Sequence, residues 1–503
     1  MSDIVKLKKQ TFFKNTLIII VTSFLIKLLG LANKIMITRL LGTSGMRQYV
    51  LSFPTIMLFV GISGMSLNLT ISKLVSESYV NRKYSPKKLL KKSFFLSLIV
   101  SFFLIILYII LLKPLTVNLL KNEDLYYPLL TGVILIPLVG VSDGLKGYYV
   151  GIKQMHVTSL SNLIEQVARI SFSILSIIIL SPYGINITTT FCLLALSFGE
   201  VCSIIFSIIK LKKYPVVDFN DTSGELKAVL DMAIPNTCTR IIGSFSYFLE
   251  PILYTTVLSF IGYKTIDIQN NYTIFDAYTI PLLTFISFLP FAISTAMIPG
   301  VSVASTKGDI KSLNYYIGKV VTFSVIPALI LSINLYLSGE DFMMLIYNTK
   351  EGTSILRPLT FIFTAYYIQI PITGILQATG HSKKVFILSI ISNGLKLLLI
   401  TLLSLVPSIN YNSIIIATTL CLVISTIVIV LILFETQDIS LNYNNLFTIV
   451  ILTFFIMMIG ILLKVLRVNY LVVLVITSTL YLLIAFKIKI LSIKSLMKKY
   501  RKS

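Results

Sequence analysis

Long, uninterrupted apolar segments dominate this sequence and restrict the folds open to it. A helix needs about 20 apolar residues to cross a bilayer, and runs of that length recur along the chain. Membrane-spanning strands would instead show ten-residue segments of alternating polarity. With 56% hydrophobic and 13% charged residues, the chain is predicted to be an all-α polytopic membrane protein, because a helix satisfies its own backbone polar groups in lipid.

A window of that length predicts about fourteen transmembrane helices. The approximate limits are 16–41, 48–71, 93–113, 126–151, 157–180, 186–210, 232–260, 273–299, 316–338, 356–378, 384–406, 412–434, 446–464 and 470–490.

The positive charges predict the orientation. A formal net charge of +23 would suggest a nucleic-acid partner in a soluble chain. Here most cations lie between spans, above all in 72–92, in 210–230 and after 486, so we expect no nucleic acid. Cytoplasmic loops carry such an excess of lysine and arginine. Both termini are therefore predicted to be cytoplasmic, which requires an even number of spans.

Landmarks that recur at a nearly constant offset predict two similar halves. Lys27-Leu-Leu-Gly30 in span one matches Arg240-Ile-Ile-Gly243 in span seven. Other matches pair Pro54 with Pro281, Gly147 with Gly374 and Arg169 with Lys396. We predict an N-terminal lobe at 1–210 (spans 1–6), a cytoplasmic inter-lobe linker at 211–231, a C-terminal lobe at 232–434 (spans 7–12), and spans 13–14 with a basic cytoplasmic tail at 435–503.

The first span carries charges that a membrane helix normally avoids. A charge at the bilayer centre costs roughly 2.5 to 17 kcal/mol, yet Lys27, Lys34 and Arg39 lie in this segment. Lys27, Leu31, Lys34 and Thr38 follow a three-four spacing and share one helix face. Lys34 and Arg39 are open to a second interpretation, in which they snorkel to an interface. For Lys27, midway along, we favour a face that lines water or meets an anion.

The repeat predicts a second cation opposite this face of span one. Lys27 and Arg240 hold matching places in the first helix of each lobe, so we expect them to face each other across a cleft. Cations from both lobes suit an anionic head group. Lys27, Lys34, Arg240 and Asn33 are therefore the candidate head-group binding residues.

The remaining residues predict no catalytic site. The chain has no P-loop and no GxGxxG phosphate cradle, so we expect a non-enzyme that does not use ATP. Its four cysteines fall in apolar runs without a CxxC pair, which predicts neither a disulfide framework nor a zinc site. Glu165 and Arg169 are spaced i,i+4 on span five and can pair. They are either a structural pair or a gate.

Several stretches together resemble a known family. They are KQTFFKNTLIIIVTSFLIKLLGLANKIMITRLLGTSGMRQYVLSFPTI near the N-terminus, ISKLVSE at 71–77, GYYVGIKQMHVTSLSNLIEQVARI at 147–170, FLEPIL at 248–253 and TGILQATG at 373–380. They resemble the stage V sporulation protein B family of the multidrug/oligosaccharidyl-lipid/polysaccharide (MOP) exporter superfamily, which is related to the MurJ lipid II flippases. The resemblance implies a fourteen-helix, two-lobe, MATE-like fold that works by alternating access in the bacterial cytoplasmic membrane.

The resemblance also bears on individual residues. MurJ proteins have an arginine where Lys27 stands and another where Asn33 stands, so only the first cation is kept here, as lysine. A span-seven acid takes part in a Na⁺ site of those flippases. Glu250 is the matching acid in this chain, with Asn393 and Gln369 as candidate oxygen ligands. No other cofactor is expected, and either Na⁺ or H⁺ is the candidate coupling ion.

The predicted function is that of a flippase for a lipid-linked oligosaccharide, such as a polyprenyl-pyrophosphate peptidoglycan precursor for spore cortex or cell wall. Its expected partners are this substrate, membrane lipids and cell-wall synthesis proteins. One alternative is a flippase for a capsular or teichoic polysaccharide unit. Another is a MATE-like, cation-coupled drug exporter, which a positively lined cleft argues against. A third is a membrane scaffold for spore-wall synthesis that transports nothing.

Overall fold

The structure is a computed structural model that describes residues 2–219, 222–437 and 443–488. The described residues form helices, turns and loops, and none of them forms a strand. The helices group into two compact units. The first comprises the chain up to Thr273 together with Leu397–Ile414, and the second comprises Ile274–Lys396 and the chain from Ile415 onward. The predicted lobe limits at 210, 232 and 434 stay a prediction.

The first unit is built from nine helices before Thr273 and the end of a later one. These helices are α1 (Ser2–Ser63), α2 (Leu67–Asn81), α3 (Pro86–Pro114), α4 (Tyr126–Leu130), α5 (Gly132–Gly151), α6 (Met155–Leu180), α7 (Ile185–Leu211), α8 (Glu225–Phe260) and α9 (Thr265–Thr273), and short π and 3-10 turns occupy Leu115–Leu119, Glu123–Leu125 and Ser181–Tyr183.

The second unit contains the remaining helices. They are α10 (Ile280–Leu283), α11 (Phe288–Thr306), α12 (Ile310–Tyr347), α13 (Thr353–Ile362), α14 (Thr364–Ala378), most of α15 (Ser382–Ser404), α16 (Ser413–Thr436), α17 (Tyr443–Val465) and α18 (Tyr470–Lys487), preceded by a π segment at Ile274–Thr279.

Helix α1 covers the first predicted span and most of the second. At 1.5 Å per residue its 62 residues extend about 93 Å, which is about three times the thickness of a hydrocarbon core. The helix divides at Gly42, whose φ of 64° and ψ of −175° are accessible to glycine alone. The first two predicted spans are thus joined by a glycine kink and not by a loop.

Kinks of this kind affect the number of spans. Among the described residues, eleven helices are long and apolar enough to cross a membrane, or twelve if the bent pair α13 and α14 is one span. The residues from Phe24 to Tyr79 count once in that total although the sequence predicts two spans there. The predicted span 273–299 is divided among a π segment, α10 and α11. The exact number of fourteen therefore stays a prediction.

One face of α5 is made of glycines that let neighbouring helices approach its backbone. A Cβ atom at Gly140 or Gly144 would overlap Ser97 or Phe94 of α3. At Gly147 it would lie 2.7 Å from the carbonyl oxygen of Asn68 in α2. Small residues at such spacing are the usual means of close helix packing in membranes. Because the glycine face of α5 packs against α2 and α3, a different face of α5 is left to pack against α6 and α7.

The segment between α7 and α8 is attached to the start of α3. The Ser85 hydroxyl donates a hydrogen bond to Asp218 over 2.7 Å, and Lys87 lies 3.2 Å from the same carboxylate. The Lys88 ammonium donates to the Thr222 carbonyl over 2.9 Å. The Ser85 hydrogen bond and the Lys87 contact hold the pKa of the Asp218 carboxyl below its usual value. The inter-lobe linker predicted at 211–231 is thus tied to the preceding loop, and α8 begins inside it at Glu225.

In the second unit, α17 and α18 pack on α12. A Cβ atom at Gly460 would overlap Leu337 of α12. The Thr477 hydroxyl donates to Asn334 Oδ1 over 2.9 Å, and Asn334 Nδ2 donates to Ser478 over 3.2 Å. Polar pairs of this type join helices within a bilayer. The contact at Gly460 attaches α17 to α12, and the polar pairs attach α18 to it.

Cysteine labelling tests the predicted orientation. In a variant without native cysteines, Lys83→Cys should be labelled by a membrane-impermeant thiol reagent only after intact cells are permeabilised. The control Lys121→Cys, in a predicted outer loop, should react in intact cells. Both lysines are exposed, so burial does not limit the reaction. Labelling of Lys83→Cys in intact cells would contradict cytoplasmic termini.

Thermal unfolding in detergent tests the glycine face. Gly147→Ala should lower the unfolding temperature, because the new methyl group meets the backbone of α2, which cannot move aside like a flexible side chain. The matched control is Gly243→Ala in α8, where a Cβ atom meets nothing within 4 Å. That change should leave the temperature unchanged or raise it, since alanine gains up to about 1 kcal/mol over glycine in a helix interior. Equal effects at both positions would show that the close contact is unimportant.

Candidate transport site

The cations predicted on α1 lie on one face of that helix. Lys27 is exposed and Lys34 is partly exposed. One turn further, Thr38 is buried and donates its hydroxyl to the Lys34 carbonyl over 2.7 Å. Gly30, between the two lysines, lies against Gln166 of α6. The face that carries Lys27 is therefore accessible in the middle of an apolar helix and becomes buried toward Thr38.

Asn33 lies on another side of α1. Only 6% of it is exposed, and its Oδ1 atom accepts no hydrogen bond. The structure thus separates Asn33 from the two lysines with which the sequence grouped it. A role of Asn33 in head-group binding stays a prediction.

A buried cluster of charges joins α5, α6 and α7. The Lys146 ammonium of α5 lies 2.7 Å from Glu165 of α6 and 3.7 Å from Glu200 of α7. Arg169 forms an ion pair with the other oxygen of Glu165. The side chains of Lys146, Glu165 and Glu200 are 6%, 14% and 11% exposed. Charges buried at this depth in a bilayer are expensive unless they are paired, and where they occur they mark candidate functional sites.

Small residues allow α6 and α7 to come close enough to form this cluster. A Cβ atom at Gly199 would lie 2.8 Å from the Glu165 carbonyl oxygen. The Ser161 hydroxyl lies 2.7 Å from that of Ser203. This close packing places Glu200, the next residue after Gly199, beside Glu165 and Lys146.

Arg240 of α8 extends the cluster through Asp143 of α5. One guanidinium nitrogen of Arg240 lies 3.8 Å from Asp143 Oδ2. The Arg240 side chain is 50% exposed, whereas that of Asp143 is 17% exposed. The ion pair recorded for Arg240 is thus with an acid of the N-terminal half. Its predicted convergence with Lys27 stays a prediction.

Asp143 also lies beside a break in the helical chain. Between α1 and α2, Met65 and Ser66 have φ angles of 46° and 47°, which non-glycine residues adopt uncommonly. A Cβ atom at Gly64 would lie 3.1 Å from Asp143 Oδ2. Interrupted helices near the middle of the membrane are a common feature of transporter binding sites.

The predicted coupling residues are distributed over both units. Glu250 belongs to α8 in the first unit and is buried, at 5% exposure. In the second unit, Gln369 donates to Ser425 over 3.3 Å, and the partly exposed Asn393 donates to the Ser389 carbonyl over 2.8 Å. Within the described residues, no group of three or more His, Cys, Asp or Glu side chains could hold a metal ion. A Na⁺ site at Glu250 stays a prediction.

Sequence reasoning identified Glu165 and Arg169 but missed Asp143, Lys146 and Glu200. A signal for all three was present. Asp143 and Lys146 are spaced i,i+3 in an apolar segment, and Glu200 lies in the middle of another. The argument from membrane cost that singled out Lys27 applies equally to them. What the sequence could not show is that three helices bring these side chains together.

Comparisons with known proteins agree with this architecture. The model of the polysaccharide biosynthesis protein family matches residues 12–305, and the MatE model matches residues 276–402. Stage V sporulation protein B of Bacillus subtilis (strain 168) is 26% identical over 411 residues, which cover 80% of this chain and 79% of that protein. Lipid II flippase MurJ of the same organism is 22% identical over 431 residues, which cover 77% and 76%.

Solved structures share the fold. Lipid II flippase MurJ in an inward closed conformation has a TM-score of 0.69 at 14% identity, covering 94% of this chain and all of the other. An inward-facing MATE family transporter of the MOP superfamily has a TM-score of 0.60 at 16% identity, covering 80% and 92%. The predicted MATE-like fold of a multi-pass membrane protein is confirmed. Because the family model spans more than half of the sequence, the chain belongs to the polysaccharide biosynthesis protein family, within the MOP exporter superfamily.

Proposed function

We propose that this protein is a flippase that moves a lipid-linked oligosaccharide across the bacterial cytoplasmic membrane by alternating access. The substrate has a pyrophosphate head group and a polyprenyl tail, as in a peptidoglycan precursor. The observation that carries the proposal is the accessible cationic face of α1, with Lys27 and Lys34 in a predominantly apolar segment of that helix. Phosphate groups are the natural ligands of such a face, since charge-assisted hydrogen bonds to phosphate are among the strongest available.

The names of the relatives support this reading over the alternatives. One is a sporulation protein and another a lipid II flippase, which favours a cell-wall precursor over a capsular or teichoic unit. A MATE-like exporter of cationic drugs remains the second candidate because the fold is shared. Lys27 and Lys34 would repel its substrate.

A cavity in the second unit suits the apolar tail. It has a volume of about 450 Å³ and is formed chiefly by residues of α12 and α18 and by those around α10. Its lining is apolar apart from Asn334 and Ser478. A polyprenyl chain gains about 0.8 kcal/mol for each CH₂ group removed from water, so it needs a continuous apolar path while its head group crosses. The cavity is a candidate part of that path.

A flipping assay in proteoliposomes is the direct test. Protein reconstituted with a fluorescent polyprenyl-pyrophosphate oligosaccharide should expose the label to an external quencher faster than protein-free vesicles do. Parallel vesicles with a cationic dye test the drug-export alternative. Transport of the dye without movement of the lipid would overturn the proposal, and movement of neither would support a scaffold.

Substitutions at Lys27 test the head-group site. Lys27→Ala should weaken binding of the polyprenyl-pyrophosphate lipid roughly tenfold to hundredfold, which corresponds to the loss of one charged hydrogen bond. Lys27→Arg should keep binding, and Lys27→Glu should be worse than alanine because it adds repulsion in a poorly screened place. Lys113→Ala, an exposed cation at the end of α3, is the matched control. Undiminished lipid binding by stable Lys27→Ala protein would exclude this residue from the site.

Glu250→Gln tests the coupling site. Glu250 is a buried acid next to Pro251 in α8, and the amide keeps its shape while removing its charge. Transport driven by an imposed Na⁺ or proton gradient should fall several-fold, with the unfolding temperature little changed. Glu123→Gln, in an exposed turn, is the control. If Glu250→Gln protein keeps the full rate and the same ion dependence, another group couples transport to the ion.

A further inference from the structure

The buried cluster in the first unit has balanced charges only when Arg240 is included. Its acids are Asp143, Glu165 and Glu200, and its cations are Lys146, Arg169 and Arg240. Removing Arg240 from this set leaves three carboxylates and two cations. An uncompensated charge in a low-dielectric interior is costly and is normally neutralised.

The two cations inside the cluster, Lys146 and Arg169, already form ion pairs with Glu165 and Glu200. Lys146 is shared between Glu165 at 2.7 Å and Glu200 at 3.7 Å. Arg169 pairs with Glu165 on its own helix. One oxygen of Glu200, which is 8% exposed as a residue, accepts no hydrogen bond. Lys146 also acts on Asp143, so without Arg240 the Asp143 carboxylate would have to share that one ammonium group with Glu165 and Glu200.

The contact between Asp143 and Arg240 is the loosest of these ion pairs. At 3.8 Å it is longer than a normal hydrogen bond. Arg240 is half exposed while Asp143 is largely buried. Arg240 can therefore reach a ligand in the accessible space without movement of α5, whereas Asp143 cannot follow it.

We propose that the anionic head group takes Arg240 from Asp143, and that the Asp143 carboxylate then takes up one proton from the aqueous phase. This inference rests on the proposed function and adds to it a second ligand, a proton, whose binding is linked to that of the phosphate. Arg240 and Asp143 each keep a partner of opposite charge. One negative charge of the head group replaces Asp143 beside Arg240, and the proton replaces Arg240 at Asp143. The second negative charge of the pyrophosphate falls to Lys27 of the proposed head-group site.

The groups that surround Asp143 support this exchange. Lys146 of its own helix, Arg240 of α8 and Glu165 of α6 act on it electrostatically, and Glu200 of α7 interacts with it. Helices α1, α2 and α3 also pack on α5. The uncharged residues found close to α5 on that side are Gly64 in the turn after α1, Asn68 of α2 and Ser97 of α3. The negative charges of Glu165 and Glu200 disfavour an ionised Asp143 carboxylate once Arg240 has left.

Calorimetry measures the linked proton directly. The full-length protein in detergent is titrated with farnesyl-pyrophosphoryl-N-acetylglucosamine, a pyrophosphate diester whose own charge is constant between about pH 6 and about pH 9. Repeating the titration in buffers of different ionisation enthalpy gives the number of protons taken up per head group bound. Wild-type protein should take up about one more proton than Asp143→Asn protein, because the amide has no carboxylate to neutralise.

The outcomes separate this inference from the proposed function. Asp231→Asn, which removes an exposed acid of α8, is the matched control and should keep the wild-type proton number. Binding with equal proton uptake in wild-type and Asp143→Asn protein overturns the inference and leaves the flippase proposal standing. Failure of the wild-type protein to bind the probe overturns both.

A second measurement needs no variant. If one proton binds with the head group, the affinity of wild-type protein must rise as the pH falls, by about tenfold per pH unit over the range in which Asp143 is ionised in the free protein and protonated in the complex. We expect this rise in affinity between about pH 6 and about pH 9, where the charge of the probe itself is constant. An affinity that does not change with pH overturns the inference even if Asp143→Asn protein does not fold.

Discussion

The first unit depends on how its buried charges are shared. Lys146 serves two carboxylates on two other helices, so α5, α6 and α7 are held together by one ammonium group. Breaking such a pair from one side leaves an uncompensated charge, at a typical cost of 3–5 kcal/mol. Gly199 of α7 is required by this arrangement, because α6 and α7 must be close before short polar contacts can form. The ion pairs of the cluster therefore depend on the close packing of the helices that carry them.

Most of the fold could be predicted from the sequence because the bilayer leaves few alternatives. Apolar length predicted the class and the approximate spans, and five sequence stretches carried the family resemblance. The exact number of spans depends on details that a hydropathy window does not contain. At Gly42 the helix continues through a kink, and between Thr273 and Phe288 it divides into short pieces. Both outcomes are decided by local backbone geometry.

The candidate site was predictable only where its residues lie on one helix. Periodicity places Lys27 and Lys34 on one face and relates Glu165 to Arg169. It does not relate Arg240 to Asp143, since that contact depends on how α8 packs against α1, α2 and α3. Asn33, grouped with Lys27 and Lys34 as a candidate head-group residue, lies on the buried side of α1, and its role in binding stays a prediction.

The polar contacts of Asn334 have a consequence for the biogenesis of this protein. Thr477, which donates to its side chain, follows 143 residues later. At a synthesis rate of roughly 5–20 residues per second, α12 waits roughly 7–30 s for α18 to emerge from the ribosome. The amide nitrogen of Asn334 finds its acceptor, the Ile330 carbonyl, within its own helix, whereas its oxygen gains the Thr477 hydroxyl only once α18 has been made.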